Sequence, residues 1–210
     1  MLYRIVKLLA VLFMRAWFGL RVRGMEHVPP SGPALIVSNH QSILDPPLIG
    51  GAVRRQIYFL AKAELFQIPV FGPLIRALHA RPVRREGADP RALRTAAQLL
   101  EEGKALLVFP EGTRSLDGSL REGKAGVGML AVTSGAPVVP AYVSGTREAL
   151  PKGAAWPRRS QVSVSFGPAL HFKARTGAGR KERYREAAED MMRGIAQLRK
   201  EEEKTHSAPH

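Results

Sequence analysis

Short apolar runs alternate with segments of helical periodicity along most of the chain. Runs typical of buried strands cover residues 34–39, Ile57–Ala61, 105–110 and 137–145. Helices are predicted between them, starting at Pro46, over 89–103 and over 127–135. This alternation predicts an α/β fold, a single layered domain with a largely parallel central sheet flanked by helices. In such folds the loops after the carboxyl ends of the strands build the functional site.

The last part of the chain changes pattern. The segment QVSVSFGPAL alternates polar and apolar residues, which predicts a half-buried strand at a sheet edge. From Arg180 the period is helical, and one apolar face comprises Tyr184, Ala188, Met191, Ile195 and Leu198. No linker divides the chain, so we predict one domain over residues 21–203, including this amphipathic helix, and a flexible tail over 204–210.

The first twenty residues are apolar except for three cations, Arg4, Lys7 and Arg15. At ~100° per residue these cations fall within about 80° of one another on a helix. Residues 1–20 are therefore predicted to form an amphipathic helix that lies in a membrane interface. A helix packed against the domain is the main alternative. A signal peptide lacks its small-residue cleavage site here, and the longest uncharged run, 8–14, is too short to span a bilayer.

Composition narrows the possible partners. The formal net charge of +14 favours an anionic partner, whether nucleic acid, phospholipid headgroups or phosphorylated substrates. The basic runs RPVRR and RRS have no interleaved aromatic residues and no nucleic-acid-binding motif is present, so we expect no nucleic acid partner. The absence of cysteine excludes disulfides, thiolate metal sites and cysteine nucleophiles.

Candidate chemistry begins in the stretch NHQSILDP, which follows a buried strand. On one regular helix His40 and Asp45 would point about 140° apart, but a turn can bring them together. Asp45 is predicted to be the N-cap of a helix with Pro46 at its first position. A histidine oriented by a carboxylate is a general base, and a hydroxyl is the group that it would activate.

The strand predicted over 105–110 is followed by the loop EGTRS, and another segment, ARPVRR, supplies further arginines. Arg84 and Arg114 carry forked donors that match phosphate oxygens, and Gly112 allows close approach of the backbone. Taken singly, these features are weak. A histidine and an aspartate at this spacing also occur as a loop histidine with a local partner, and paired arginines are usually solvated surface charges.

The order of four blocks is more specific: NHQSILDP, LHARPVRR, FPEGTRS and VVPAYVSGT. Together they closely resemble the glycerolipid acyltransferases, over roughly Arg23–Leu170. The resemblance implies transfer of a fatty acyl group from acyl-CoA or acyl carrier protein to a hydroxyl of a glycerol phosphate, without a metal or prosthetic cofactor. The implied acceptor is the sn-2 hydroxyl of lysophosphatidic acid. Glycerol 3-phosphate, another lysophospholipid and a non-glycerol acceptor remain alternatives.

The same resemblance assigns roles to residues. His40 corresponds to the catalytic base and Asp45 to its partner, and Arg84 is expected near the acceptor phosphate. The residues at acceptor-binding positions are Glu111, Gly112, Thr113 and Arg114, joined by Lys124 of a downstream lysine-x-glycine pair. Two departures affect the second block, where His79 and Arg81 replace a glycine and an aromatic residue.

Several mechanistic alternatives stay open at this stage. We expect direct acyl transfer; an acyl-enzyme on Ser42 is the alternative, although no G-x-S-x-G elbow surrounds it. Backbone N–H groups after His40 or around Gly112 are candidate oxyanion donors. Glu111 either orients the arginines or contacts glycerol hydroxyls.

The expected location of the protein follows from the predicted amino-terminal amphipathic helix and from the substrates. We expect a peripheral or monotopic protein on the cytoplasmic face of the cell membrane, with the anionic phospholipid surface as its partner. A membrane-surface protein that keeps the fold without catalysis is a further alternative, although both His40 and Asp45 are present.

Overall fold

The structure is a computed structural model that describes residues 8, 11–12, 14–69, 71–83, 90–154, 156–172 and 179–207. Its strands are β1 (Arg21–Arg23), β2 (Ala34–Ser38), β3 (Ile57–Lys62), β4 (Ala80–Val83), β5 (Ala105–Val108), β6 (Val138–Ser144) and β7 (Ser163–Phe166). Its α-helices are α1 (Asp45–Ala52), α2 (Phe71–Ala77), α3 (Pro90–Glu101), α4 (Ala125–Ser134), α5 (Thr146–Ala149) and α6 (Arg180–Ser207). Two 3₁₀ segments cover Met25–His27 and Ala63–Gln67.

The described strands form one seven-stranded sheet in the order β1-β7-β6-β2-β5-β3-β4. β6, β2, β5, β3 and β4 all run parallel, while β7 pairs antiparallel with β6 and parallel with β1. The largely parallel sheet confirms the predicted fold class. The carboxyl ends of β2, β5 and β6 therefore lie at one edge of the sheet, where the loops with candidate chemistry begin.

Two apolar layers cover the sheet. Because successive strand residues point to opposite faces, Ile36 packs with α1 on one side, while Leu35 and Val37 pack on the other. The first layer also includes Met14 and Phe18, and the second is built by α3, α4 and α6. β2 is buried along its whole length, as its continuous apolar run predicts.

β7 departs from the sequence-based expectation. The alternation of serine with apolar residues predicted a half-buried edge strand, but all its residues are buried and β1 is the edge. Ser163 and Ser165 donate hydrogen bonds to the carboxylate of Glu202, at 2.6 and 3.4 Å. Buried serines are thus satisfied by a buried acid of α6, so the polar face of this strand does not face water.

α6 is longer than predicted and continues beyond residue 203 to Ser207. Arg23 of β1 donates a hydrogen bond to the Thr205 hydroxyl at 3.0 Å, and Thr205 donates to the Glu201 carbonyl oxygen at 2.9 Å. Arg23 also pairs with Glu202 at 3.3 Å. A tertiary contact with the edge strand therefore stabilises the end of a helix whose sequence is polar and which was expected to fray. Residues 208–210 lie outside the described residues.

Near the amino terminus, residues 8, 11–12 and 14–18 are helical. Met14 and Phe18 are buried in the core, whereas Leu8, Leu12 and Trp17 are exposed. The segment thus packs on the domain with one side and leaves apolar side chains on the other. Arg4 and Lys7, two cations of the predicted basic stripe, lie outside the described residues. Within the described part of the chain, no helix combines the length and apolarity that crossing a bilayer requires.

His79, one of the two departures in the second block, has a positive φ of 65°. Glycine adopts this conformation without steric cost, which explains the glycine that the related pattern carries here. The His79 ring lies against Tyr58, with the ring centroids 4.8 Å apart. Burial, together with the positive charges of Arg81 and Lys104, lowers the pKa of His79.

Candidate active site

The end of β2 is held by the side chain of Asn39. Its amide donates to the Val143 carbonyl oxygen at 2.9 Å and accepts from the Val143 N–H at 2.8 Å. The regular pairing of β2 with β6 extends to Ser38 and Ala141, so the Asn39 side chain continues the ladder after the β2 backbone has turned away. The buried amide thereby fixes the point at which the chain leaves the sheet, one residue before His40.

The turn after β2 brings His40 and Asp45 into contact. His40 Nδ1 lies 2.8 Å from Asp45 Oδ2, and both side chains are buried, with 7% and 0% exposure. The same oxygen accepts the N–H groups of Gln41 at 2.7 Å and Ser42 at 2.8 Å. A carboxylate with this position makes Nδ1 the protonated ring nitrogen and leaves Nε2 as the proton acceptor.

Asp45 differs from its predicted role as an N-cap. It is the first residue of α1, Leu44 occupies the cap position, and no side chain caps the helix. The Asp45 carboxylate points back to the turn because three donors converge there on Oδ2, whereas its Oδ1 is buried without a partner among the described residues. The acid therefore holds the turn and the imidazole rather than the helix terminus.

The loop after β5 encloses the imidazole from the other side. The ring of Phe109 stacks on that of His40, with centroids 3.9 Å apart and planes 15° apart. The backbone N–H of Ser115 donates to the His40 carbonyl oxygen at 2.7 Å. An apolar face, a carboxylate and a backbone bond thus hold one ring orientation.

Glu111 joins the two loops through its carboxylate. Oε1 accepts the His40 N–H at 3.0 Å, and Oε2 accepts the Arg121 N–H at 3.3 Å. The side chain is buried, with 3% exposure. Burial raises the pKa of Glu111, and the two backbone N–H donors oppose that rise. Both carboxylate oxygens of Glu111 thus accept main-chain N–H groups and connect the two loops.

Gly112 has a φ of 70°, and a Cβ added there would lie 2.7 Å from Lys124 Nζ. The loop therefore needs glycine both for its backbone conformation and for the passage of the lysine side chain. Arg114 is half-buried and Thr113 is exposed in the same loop. The structure brings His40, Asp45 and this loop together, whereas Arg84 lies outside the described residues.

Two mechanistic candidates are engaged in other contacts. The N–H groups of Gln41 and Ser42 bind Asp45, and the Gly112 N–H donates to the Phe109 carbonyl oxygen at 3.0 Å. These donors, the first candidates for an oxyanion site, are already used within the protein. The Ser42 hydroxyl is buried and donates to the Leu150 carbonyl oxygen at 3.1 Å, a structural contact rather than one of an activated nucleophile.

Sequence reasoning missed three supporting residues, Asn39, Phe109 and Leu150. Asn39 and Phe109 are the first residues of the blocks NHQSILDP and FPEGTRS, so their place within those blocks was the available signal. Leu150 had none, because its contact with Ser42 crosses 108 residues of chain. Among the described residues, no group of three or more histidine, aspartate or glutamate side chains could hold a metal ion.

Comparison with known proteins identifies the family to which the chain belongs. The family model described as Acyltransferase matches residues 19–144. The chain belongs to the Acyltransferase family. The match spans β1 to the end of β6 and therefore includes both site loops of this acyltransferase domain.

Named relatives are similar to the chain over most of its length. A 1-acyl-sn-glycerol-3-phosphate acyltransferase of Bacillus subtilis is 30% identical over 182 residues, which are 86% of this chain and 88% of that protein. The crystal structure of the 1-acyl-sn-glycerophosphate acyltransferase PlsC from Thermotoga maritima matches with a TM-score of 0.74 and 32% identity. That match covers 94% of this chain and 81% of the other.

A chloroplast 1-acyl-sn-glycerol-3-phosphate acyltransferase of Arabidopsis thaliana is 35% identical over 154 residues. The aligned region is 71% of this chain but 42% of the plant protein, and 44% of a similar Brassica napus protein. The chain thus spans less than half the length of these two plant relatives.

Proposed function

We propose that the protein transfers a fatty acyl group from an acyl thioester to the free sn-2 hydroxyl of lysophosphatidic acid, giving phosphatidic acid. The observation that carries the proposal is the buried His40–Asp45 contact at the carboxyl end of β2, 2.8 Å long and enclosed by the Arg114-bearing loop. The names of the similar Bacillus and Thermotoga proteins support this acceptor. Glycerol 3-phosphate or another lysophospholipid is the alternative acceptor for the same chemistry.

His40 acts as the general base. Its Nε2 takes the proton from the acceptor hydroxyl as the oxygen attacks the thioester carbonyl carbon. The tetrahedral intermediate then breaks its carbon–sulfur bond, and the imidazolium returns the proton to the leaving thiolate. Asp45 favours the required tautomer and stabilises the imidazolium that forms. The structural contact of Ser42 favours this direct transfer over an acyl-enzyme.

Recognition of the acceptor is assigned to the loop after β5. Arg114 binds the phosphate through its forked donors, with Lys124 beside Gly112 adding a second positive charge. Thr113 supplies a hydroxyl from the exposed side of the loop. We assign Arg84 to the same phosphate, by resemblance alone. Glu111 acts indirectly as a positioning residue, because it fixes the distance between the His40 turn and this loop.

The donor is acyl-CoA or acyl carrier protein, and the proposed chemistry requires no cofactor. The acceptor is a membrane lipid, so the enzyme works as a peripheral or monotopic protein at an anionic phospholipid surface, on the cytoplasmic face. The apolar side chains that the amino-terminal segment exposes, Leu8, Leu12 and Trp17, support contact with that surface.

The proposed function is tested with purified protein and an acceptor panel. Labelled acyl-CoA and acyl carrier protein are each supplied with lysophosphatidic acid, glycerol 3-phosphate, lysophosphatidylcholine or no acceptor. We expect labelled phosphatidic acid in the first case, and far less product in the others. Product with a different acceptor would reassign the substrate, and labelled fatty acid alone in every case would refute acyl transfer.

Replacement of Arg114 by alanine is expected to lower kcat/KM for lysophosphatidic acid by about ten- to hundredfold. The physical reason is the loss of charge-assisted hydrogen bonds to phosphate, each worth about 1.5–3 kcal/mol. The effect is measured from initial rates at varied acceptor, with the acyl donor saturating.

Arg114→Lys is the matched variant, since it keeps the charge and loses the fork. It should recover part of the acceptor affinity. KM for the acyl donor should stay within about twofold for both variants, because the guanidinium is assigned to the acceptor phosphate alone. Acceptor kinetics equal to those of the unaltered protein would remove Arg114 from the binding site.

A further inference from the structure

The connection between β6 and β7 projects a loop from a closed base. At the base, the Arg158 N–H donates to the Ala149 carbonyl oxygen at 2.7 Å, and the Ser160 hydroxyl donates to the Gly145 carbonyl oxygen at 3.2 Å. We call residues 151–154 and 156–157 the projecting loop; residue 155 lies outside the described residues. Loops with ends this close are compact surface units whose tips are available for contacts.

The projecting loop carries an unusually exposed aromatic side chain. Trp156 is 82% exposed, more than any other large apolar side chain among the described residues. Lys152, Arg158 and Arg159, in or beside the loop, are also exposed. Residues 150–162 contain no acidic residue. An exposed tryptophan surrounded by cations is the combination that suits an anionic membrane interface, where the indole enters the headgroup region.

The residues that follow the projecting loop contact the amino-terminal helical segment. The Arg159 guanidinium lies over the ring of Trp17, 5.3 Å from its centroid. The Val162 N–H donates to the Phe18 carbonyl oxygen at 3.1 Å. Trp17 itself is 40% exposed. The two tryptophans of the chain therefore belong to neighbouring elements that could meet one surface together.

The residue that precedes the projecting loop contacts the turn that carries His40. The Leu150 carbonyl oxygen, one residue before the projecting loop, accepts the Ser42 hydroxyl hydrogen bond. Ile43 in that turn is 57% exposed, and Leu116, next to the residue that binds the His40 carbonyl, is 55% exposed. Exposed apolar side chains thus accompany both site loops at the strand-end edge. A lipid surface suits this combination of exposed apolar side chains around the site and cations in or beside the projecting loop.

We propose that the projecting loop is a second membrane-contact element, which inserts Trp156 at the interface of an anionic bilayer and holds the His40 turn at the lipid surface. The inference rests on the proposed function, because a membrane-resident acceptor is what requires the site to lie there. It assigns membrane contact to a segment more than 130 residues beyond the amino-terminal helix in the chain.

The fluorescence of Trp156 tests the contact directly. Trp17→Phe leaves Trp156 as the sole tryptophan, and Trp156→Phe leaves Trp17. We expect the emission of Trp17→Phe to shift to the blue when vesicles of phosphatidylcholine and phosphatidylglycerol are added, and to be quenched by brominated acyl chains. Vesicles of phosphatidylcholine alone should shift it less. Unshifted emission while the protein sediments with anionic vesicles would overturn the proposal, as would a shift with acyl carrier protein and none with vesicles.

Vesicle sedimentation gives a second, independent readout. Trp156→Ala is expected to weaken binding to the anionic vesicles about tenfold, and Arg158→Gln about fivefold. The matched control is Lys181→Gln, an exposed charge in the first turn of α6. Position 181 lies ~32 Å along that helix from Glu202, which contacts β7 at the strand-end edge. Equal binding of the control and Arg158→Gln would remove the projecting loop from the interface.

Turnover separates this inference from the proposed function. Trp156 lies outside the catalytic and binding residues, so Trp156→Ala should keep its rate on lysophosphatidic acid dispersed in detergent and lose rate on acceptor held in anionic vesicles. Equal losses in both assays would contradict the membrane role. If no acceptor of the panel is acylated, the proposed function fails. The fluorescence and sedimentation results still test whether the projecting loop contacts the membrane.

Discussion

Replacing His40 by glutamine is expected to lower kcat by about 10²- to 10⁴-fold, the range that a positioned general base contributes. Glutamine retains a planar group that can lie against Phe109, which stacks on the imidazole at 3.9 Å. It has no nitrogen that accepts a proton at neutral pH. The measurement is the initial rate of phosphatidic acid formation with both substrates saturating.

His40→Ala and His171→Ala complete the design. His40→Ala removes the base and the stacking partner of Phe109, so it should also lower the thermal unfolding midpoint, whereas the glutamine variant should unfold near the unaltered protein. His171 is exposed and outside the site loops, and its alanine variant should keep full turnover. Product formation by a folded His40→Gln enzyme at the unaltered rate would exclude His40 as the base.

Asp45→Asn is expected to lower kcat by about 10²- to 10³-fold, with little change in KM for either substrate. The carbonyl oxygen of asparagine can still accept the N–H groups of Gln41 and Ser42, which now bind Oδ2 at 2.7 and 2.8 Å. Asparagine lacks the negative charge that stabilises the imidazolium, and the charge-assisted hydrogen bond that is lost is worth about 1.5–3 kcal/mol. Asparagine also no longer fixes which ring nitrogen carries the proton. Steady-state kinetics at varied donor and acceptor separate kcat from KM.

Stability provides the complementary comparison. The asparagine NH₂ group would replace Oδ1, which is buried and lacks a partner among the described residues, so the free energy of unfolding should fall by about 1–3 kcal/mol. Asp45→Ala additionally leaves both backbone donors unpaired and should unfold more easily still. If Asp45→Asn turned over like the unaltered enzyme, Asp45 would act only on the structure of the turn.

Glu111 shows how a motif residue can serve the site without facing it. Its carboxylate accepts the N–H groups of His40 and Arg121 and thereby connects two loops. The family resemblance placed Glu111 at an acceptor-binding position, where it was expected either to orient the arginines or to contact glycerol hydroxyls. We propose instead that Glu111 positions His40 relative to Arg114, because its two oxygens accept main-chain N–H groups of both loops.

The alternation of strands and helices was readable from the chain because it depends on local periodicity. β2, buried on both faces, is apolar at every position but its last, Ser38, and the face of α6 repeats at helical spacing. The prediction that β7 is an edge strand was wrong because its environment depends on contacts with residues distant in the chain. Ser163 and Ser165 are polar but satisfied by Glu202, a residue 39 and 37 positions away, so their polarity did not indicate water.

By itself, the sequence determined the fold class and marked His40 and Asp45 as the candidate pair, whereas the order of the strands within the sheet came only from the structure. Only the tertiary structure decided which groups surround that pair. Phe109 and Glu111 reach His40 from another strand, and Leu150 binds Ser42 from a third connection. Parallel strands bring such distant segments to one edge, and hydrogen bonds between them act over a few ångströms of space, whatever their separation along the chain.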